Sequence, residues 1–269
     1  MISVITVNYN NSKGLERTLE SVERQENADF EYIVVDGDSN DGSVELIKKH
    51  IVKINKAIVE KDRGTFDAMN KGTKAASGEY LLFLNSGDIL AGVNSLARAG
   101  AYLIDKDIYY GDAVFSRRNR EWLQKFPEDI DLDYLMTHAL NHQNTFIKRS
   151  FLLAEGGYDN AYKVISDWGL MVKAFLNGSP TYKHIPEAIA VYFLNGISSA
   201  PSSRSLILSE KKKFLEALDP ACGKILYKYI ELCESDYYKI LSRFKDKRAF
   251  ERLISIPLLA SKILARIGM

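Results

Sequence analysis

Ile33-Val34-Val35-Asp36-Gly37-Asp38-Ser39-Asn40-Asp41-Gly42-Ser43 is an apolar run that ends abruptly in carboxylates and then opens a helix. The run is short and β-branched, as suits a strand buried on both faces. Asp41-Gly42-Ser43 leads into a segment with Val44, Ile47 and Ile51 on one helical face. A strand that finishes in acid and feeds a helix is the repeating unit of an open α/β sheet, whose ligands gather at the carboxyl ends of the strands.

The same unit recurs on either side. Ser3 to Val7, Ala57 to Val59 and Tyr80 to Leu84 are further short runs rich in Val, Ile and Leu. Leu15 to Val22 is apolar at i, i+4 and i+7, with Asn11 or Ser12 available as its cap. Thr65 to Ala76 makes another helix, stopped by Ser77-Gly78. The order βαβαβαβ predicts a mostly parallel central sheet with right-handed crossovers, flanked by helices. Four successive strand ends carry carboxylates or amides: Asn8-Tyr9-Asn10, Asp36-Gly37-Asp38, Glu60-Lys61-Asp62 and Asn85-Ser86-Gly87-Asp88. One such end is ordinary turn chemistry. Four on one rim point to a polar ligand.

Beyond residue 107 the signals are sparser. Ile108 to Tyr110, Thr145 to Ile147 and Ile189 to Tyr192 read as strands, Ser150 to Glu155 and Asp167 to Leu176 as helices. Ala200 to Ser203 reads as a linker, which sets the expected division at 1–199 for the α/β domain and 200–269 for a helical, basic extension. Over 239–269 there are eight Lys or Arg against two Asp or Glu, a net +6 in a chain whose total is +1. Phe244, Phe250, Leu253 and Ile254 fall at helical spacing, and Pro257 interrupts the helix. A basic amphipathic segment suits either an anionic membrane surface or a docked or dimerising helix.

Composition narrows the class. With 269 residues, 46% hydrophobic and 26% charged, the chain has an ordinary globular make-up and enough length for a full core. The near-neutral net charge does not call for a nucleic-acid partner, and none is expected. Cys222 and Cys233 are the only cysteines and form no metal-ligand spacing, which fits a reducing compartment. A strand signal that starts at Ile2, and the lack of an apolar run of about 18 residues, lead us to expect no signal peptide and no membrane span. The expected location is cytoplasmic, with peripheral contact on the inner face of the membrane through the C-terminal helices. The first turn, Asn8-Tyr-Asn-Asn-Ser-Lys-Gly14, is neither G-x-G-x-x-G nor a P-loop, against a dehydrogenase or an NTPase.

Ser3-Val-Ile-Thr-Val-Asn-Tyr-Asn10, Ile33 to Ser43, Glu60 to Gly72 and Ser77 to Asp88 are followed in order by His142-Gln143, Gly156-Gly-Tyr-Asp159 and Ser166-Asp-Trp168. In this ordered set the chain resembles family 2 glycosyltransferases of the Rossmann-like GT-A fold, of the bacterial surface-polysaccharide type. The resemblance implies an inverting, metal-dependent hexosyltransferase that uses a nucleotide-diphosphate sugar, UDP-linked by preference. Its acceptor would be a hydroxyl of a growing O-antigen, capsule or exopolysaccharide unit, carried on polyprenyl diphosphate. It also implies donor contacts at Asn8, Asp36, Asp38, Asp62, Asp67, Asn70 and Asn85. Asp88 would hold Mn²⁺ or Mg²⁺, with His142 at the metal or diphosphate, and Asp167 would be the general base.

Two departures stand out. The common Asp-Asp-Gly-Ser is Asp36-Gly-Asp-Ser39 here, leaving two carboxylates for one base-reading position. The common Asp-x-Asp is Asn85-Ser-Gly-Asp88, a single carboxylate beside an amide. Other readings stand beside these roles. Asp167 also fits a helix-terminal carboxylate, His142 an internal histidine, Trp168 either a sugar platform or core, and Arg63 a phosphate contact or plain surface. Two other classes compete with the transferase. One is a non-catalytic carbohydrate- or nucleotide-binding module on the same fold. The other is a pyrophosphorylase, which would need a glycine-rich loop after the first strand.

Overall fold

The computed structural model describes residues 1–117, 120–178, 180–194 and 201–235. Two compact units divide the chain, Met1–Phe214 and Leu215–Met269. The basic segment over 239–269, and with it the expected membrane contact, lies outside the described residues. Among those described, no helix is long and apolar enough to cross a membrane.

The first unit is built on one sheet. Strands β1 (Ile2–Asn8), β2 (Phe30–Asp36), β3 (Lys56–Val59) and β4 (Tyr80–Phe83) run parallel in the order β3-β2-β1-β4. Helices α1 (Ser12–Glu23), α2 (Ser43–Lys49) and α3 (Thr65–Ala75) connect them. This is the parallel half expected from the alternating segments. Past β4 the sheet is mixed. β8 (Thr145–Lys148) runs against β4, then come β6 (Ile108–Arg117), β9 (Tyr182–Phe193) parallel to it, and antiparallel β5 (Ile89–Leu90). β7 (Arg120–Gln124) pairs with the outer part of β6.

Alternation along β1 sorts the two faces of the sheet. Val4, with Tyr32, Val34 and Leu82, packs under Leu15, Leu19 and Val22 of α1, Ile47 of α2, and Leu96 and Ala99 of α4 (Ser95–Gly100). On the opposite face α3 comes so close that a Cβ on Gly72 would lie 2.5 Å from Ile5 Cγ2. Phe83 and Phe66 meet Tyr158 on that side, with ring centroids 5.4 and 5.5 Å apart. Burial on both faces holds for β1, β2 and β4 but not for β3, an edge strand whose Lys56, Ala57 and Val59 are exposed. Ile51 also leaves the face expected of it: α2 ends at Lys49 and Ile51 is exposed in a 3-10 turn. The short helices α5 (Leu132–Thr137) and α6 (Arg149–Ala154) precede and follow β8 along the chain, and α8 (Arg204–Leu218) begins after a 3-10 turn at Pro201–Ser203. In the second unit α9 (Pro220–Glu234) is capped by Asp219, which accepts from the backbone of Ala221 and Cys222.

The amino-terminal ends of the strands are fastened by one buried carboxylate. Glu31 accepts from Ser3 Oγ and Ser77 N at 2.5 Å and from Gly78 N at 2.9 Å, with Lys56 Nζ 3.4 Å away. Burial pushes this carboxyl up, but the hydrogen bonds outweigh it and hold the group at about 2, against an ordinary 4.5. The anion is favoured in the fold, so its contribution is complete above pH 4.5 and is lost as pH falls through about 2. The gap corresponds to roughly 3 kcal/mol. Glu31→Gln would turn an amide donor toward backbone donors and lower the melting temperature at pH 7 by about 6 °C or more. The difference from wild type should shrink toward pH 2 in thermal melts. An unchanged melting temperature at pH 7 would remove Glu31 from this role.

Candidate functional site

At the other end of the sheet the first strands finish on one rim. The ladder runs on past the strands through Gly37 N to Asn8 O at 2.9 Å, Glu60 N to Asp36 O at 3.0 Å and Ser86 N to Val7 O at 3.0 Å. These bonds place the Asn8, Asp36, Glu60 and Asn85 ends side by side.

Asn8 and Asp36 are buried and engage each other. Asn8 Nδ2 donates to Asp36 Oδ2 at 2.7 Å, and Ser39 donates to Asp36 through N at 2.7 Å and Oγ at 2.9 Å. Asp38 stands exposed in the left-handed region, with φ 67°. The paired carboxylates are thus separated by environment: Asp36 holds the turn and Asp38 faces outward. Asn10, also left-handed, locks this turn by taking Ser39 Oγ at its N–H and Asn40 N at its side chain. Asp62 accepts from Gly64 N at 2.9 Å and lies against Gly37, where a Cβ would stand 2.5 Å from its Oδ2 and 3.0 Å from Tyr9 Cδ2. The absence of a side chain at Gly37 leaves room for Asp62 and Tyr9 each to lie against the turn.

Asp67 and Asn70 face along α3 toward a distant turn. Arg63 Nη2 donates to Asp67 Oδ1 at 2.8 Å, which with Arg63 charge holds that carboxyl below its usual range. Asn160 Nδ2 donates to the same oxygen at 2.9 Å. Arg63, weighed as a phosphate contact, is given to this pair. Asn70 Nδ2 donates to Tyr158 O at 2.7 Å, and its Oδ1 accepts from Tyr158 N at 2.9 Å. Gly157 in this turn has φ 78°, and a Cβ there would strike Asn70 Oδ1. Asn70 therefore clamps the Gly156-Gly157 turn rather than opening toward the rim.

The fourth strand end is the most elaborate. Thr18 Oγ1 donates to Asp88 O at 2.7 Å and accepts from Gly87 N at 2.9 Å, tying the turn to α1. Asp88 is buried, with Gln143 Nε2 on Oδ2 at 2.9 Å and Phe193 N on Oδ1 at 3.2 Å. Burial pushes its carboxyl up to about 6, against the opposing pull of the Gln143 hydrogen bond. Asn85 Nδ2 lies 2.9 Å from His142 Nε2, and His142 Nδ1 lies 3.1 Å from Asp167 Oδ2. Asp167 sits in the first turn of α7 (Ser166–Asn177), its Oδ1 accepting from Trp168 N at 2.8 Å. Trp168 itself belongs to the core: its Nε1 donates to Leu135 O at 2.6 Å and its ring packs on Phe214.

With both ring nitrogens engaged, His142 offers no lone pair to a cation in this arrangement. That differs from the metal role expected of it. Among the described residues no three His, Cys, Asp or Glu side chains form a metal cage. Buried acceptors without a partner do lie here: Asn85 Oδ1 and Gln143 Oε1 flank the Asp88 turn, and Asn8 Oδ1 sits at the first strand end. Such atoms cost about 1–3 kcal/mol each unless a ligand or water meets them. An oxygen-only set of one carboxylate and amide carbonyls fits a hard divalent cation whose other ligands come from substrate and water.

Two residues escaped the reading of single motifs. Tyr9, 65% exposed, presents an aromatic ring at the rim. Arg17 on α1 lies over the Phe193 ring at 4.7 Å and close to Gly87, a cation beside the Asp88 turn. Tyr9 was visible as an aromatic between two amides. Arg17 gave no signal, because only the fold brings α1 to that turn.

The sequence matches the model of glycosyl transferase family 2 over residues 3–152. It is 31% identical over 199 residues to a PGL/p-HBAD biosynthesis glycosyltransferase of Mycobacterium tuberculosis, covering 71% of this chain and 76% of that protein. Among solved structures, S. aureus TarS 1-349 in complex with UDP-GlcNAc is similar with a TM-score of 0.66 at 18% identity, over 92% of this chain and 77% of that one. The mannosyltransferase PcManGT from Pyrobaculum calidifontis, in complex with GDP-Man and Mn²⁺, gives 0.64 at 17%, over 96% and 80%. The chain spans only 46% of the longer S. aureus TarS structure. At these identities the solved structures show a shared fold, the GT-A type with its curled mixed sheet.

Proposed function

The chain belongs to glycosyl transferase family 2, and from that premise we propose an inverting transferase that moves a sugar from a nucleoside diphosphate to an acceptor hydroxyl. The observation that carries the proposal is the linkage of one late carboxylate, Asp167, through His142 to Asn85 on the rim where the strand ends converge. An inverting displacement needs a single base on the face opposite the leaving group.

Each residue then has a task. Tyr9 stacks on the nucleobase, and exposed Asp38 with Asp62 takes its N–H or ribose hydroxyls. Asp36 and Asn8 hold that turn in shape, and Arg17 meets the diphosphate. Asp88, with the carbonyl oxygens of Asn85 and Gln143, would hold Mn²⁺ or Mg²⁺. When bound, the cation supplies Lewis acidity at the leaving diphosphate. Asp167 accepts the hydroxyl proton as the acceptor oxygen attacks the anomeric carbon and the bond to the diphosphate breaks. The donor is a UDP-sugar by family resemblance, and UDP-GlcNAc in TarS and GDP-Man in PcManGT are compatible precedents for nucleotide binding. We take the acceptor to be a lipid-linked surface glycan, with peripheral membrane contact through the basic C-terminal segment.

A second reading, a binder without turnover, draws on one observation: Gln143 and Phe193 N already occupy both Asp88 oxygens. Thermal melts with UDP, GDP, dTDP and CMP, each with and without Mn²⁺, test the donor site. We expect UDP with Mn²⁺ to raise the melting temperature by about 5 °C near a hundredfold excess over Kd, equivalent to roughly 2.7 kcal/mol. If none of the four nucleotides shifted the melting temperature, the donor assignment would fall, and binding without release of nucleoside diphosphate would favour the binder.

A further inference from the structure

We propose that His142 is the positioning residue of the transfer step: its Nδ1–H holds the Asp167 carboxylate, and Asn85 fixes the imidazole tautomer that makes this possible. The inference rests on Asp167 as the base of the proposed transferase.

Bond accounting leads to it. An ionised carboxylate only accepts hydrogen bonds, so at 3.1 Å from Asp167 Oδ2 the proton belongs to His142 Nδ1. In the neutral ring Nε2 then carries a lone pair and needs a donor. Asn85 Nδ2 supplies one at 2.9 Å. The arrangement is satisfied by one neutral tautomer, Nδ1–H, which is the less common form of a histidine side chain in water. Asp167 is gripped at its other oxygen by Trp168 N at 2.8 Å, so both oxygens are oriented by donors of fixed direction. The imidazole keeps its proton throughout; it aims the carboxylate and links it to the end of β4.

A second histidine–aspartate pair provides the contrast. His184 Nε2 lies 2.9 Å from Asp112 Oδ1, with side chains only 11% and 8% exposed, beside the bulge in β6. Asp112 there also accepts from Phe126 N, as a structural clamp would. The His142 and Asp167 side chains are 18% and 20% exposed, open enough for a substrate hydroxyl to reach the carboxylate.

Asparagine and glutamine separate the two ring nitrogens. The Asn amide reaches roughly the place of Nδ1, the Gln amide that of Nε2. We expect His142→Ala and His142→Gln to lower kcat about 100-fold with donor KM within about twofold, and His142→Asn to stay within about tenfold of wild type. The probe is nucleoside diphosphate release from UDP-N-acetylglucosamine, UDP-glucose and UDP-galactose with Mn²⁺. Equal loss in the Asn and Gln variants, or a loss that falls on KM or on the Mn²⁺ requirement, would overturn the proposal. Nitrogen-15 NMR of the histidine side chains gives a readout that needs no turnover. His142 should show the Nδ1–H form at neutral pH in the wild type and lose that preference in Asp167→Ala. An Nε2–H form in the wild type would also overturn it. Wild-type protein that turns over none of the donors counts against the transferase reading, while the NMR result still decides the His142 arrangement.

Discussion

Asp167→Asn is expected to lower turnover about a thousandfold while leaving the nucleotide-induced rise in melting temperature within about 1 °C of wild type. The substitution keeps shape and size, and an amide oxygen still accepts from Trp168 N or from His142 Nδ1. What disappears is the capacity to take a proton. Asp167 stands in the first turn of α7, where the helix dipole stabilises its anion. If the amide variant turned over within tenfold of wild type, the base would have to be sought elsewhere on the rim. If nucleotide binding fell with it, Asp167 would belong to the donor site.

The second large effect runs the other way in stability. In metal-free protein, Asp88→Asn is expected to raise the melting temperature at pH 7.5, by an amount equivalent to about 1–3 kcal/mol. Burial lifts this carboxyl from 3.8 to about 6, so the fold prefers its protonated form. The favourable contribution is complete below pH 3.8 and is lost as pH rises through about 6, where the buried charge becomes a cost. Asparagine has no charge to bury. Its carbonyl can accept from Phe193 N, and Gln143 can rotate its amide to receive the new donor on Oε1, an atom that now lacks a partner. The gain should vanish near pH 4, where wild-type Asp88 is protonated. The same variant should lose the Mn²⁺-dependent part of the nucleotide shift. Greater stability with lost metal response would mark Asp88 as a charge kept for function at the expense of the fold. Lower stability at pH 7.5 would mean that Gln143 and Phe193 more than repay its burial.

These sites differ in how far the sequence discloses them. β1, β2 and β4 were legible because strands covered on both faces need uninterrupted Val, Ile and Leu. β3 was found but misjudged: Ala57-Ile58-Val59 has the same composition, yet sits at the sheet edge with Ala57 and Val59 exposed. The full ten residues of β6 were not legible, since the bulge around Gly111 and Asp112 breaks its alternation, and β7 has no apolar face to announce it. Asn8 and Asp36 were both readable as polar rim residues, but only the pairing of β1 with β2 brings them face to face. Asn70 carried no sign that its amide would be taken up 88 residues away by the Tyr158 backbone. The contact of His142 with Asn85 and Asp167 joins three segments that no local spacing relates.

The Glu31 clasp bears on how the protein can be handled at an interface. Met1 and Ile2 are held at the same end of the sheet as that clasp, through Glu79 N to Met1 O and Ile2 N to Asp29 O. The seven residues of β1, about 20 Å at strand rise, separate this end from Asn8. A solid support coupled at Met1 would therefore grip the floor of the sheet and leave the Asn8, Asp36 and Asn85 ends on the side away from the attachment.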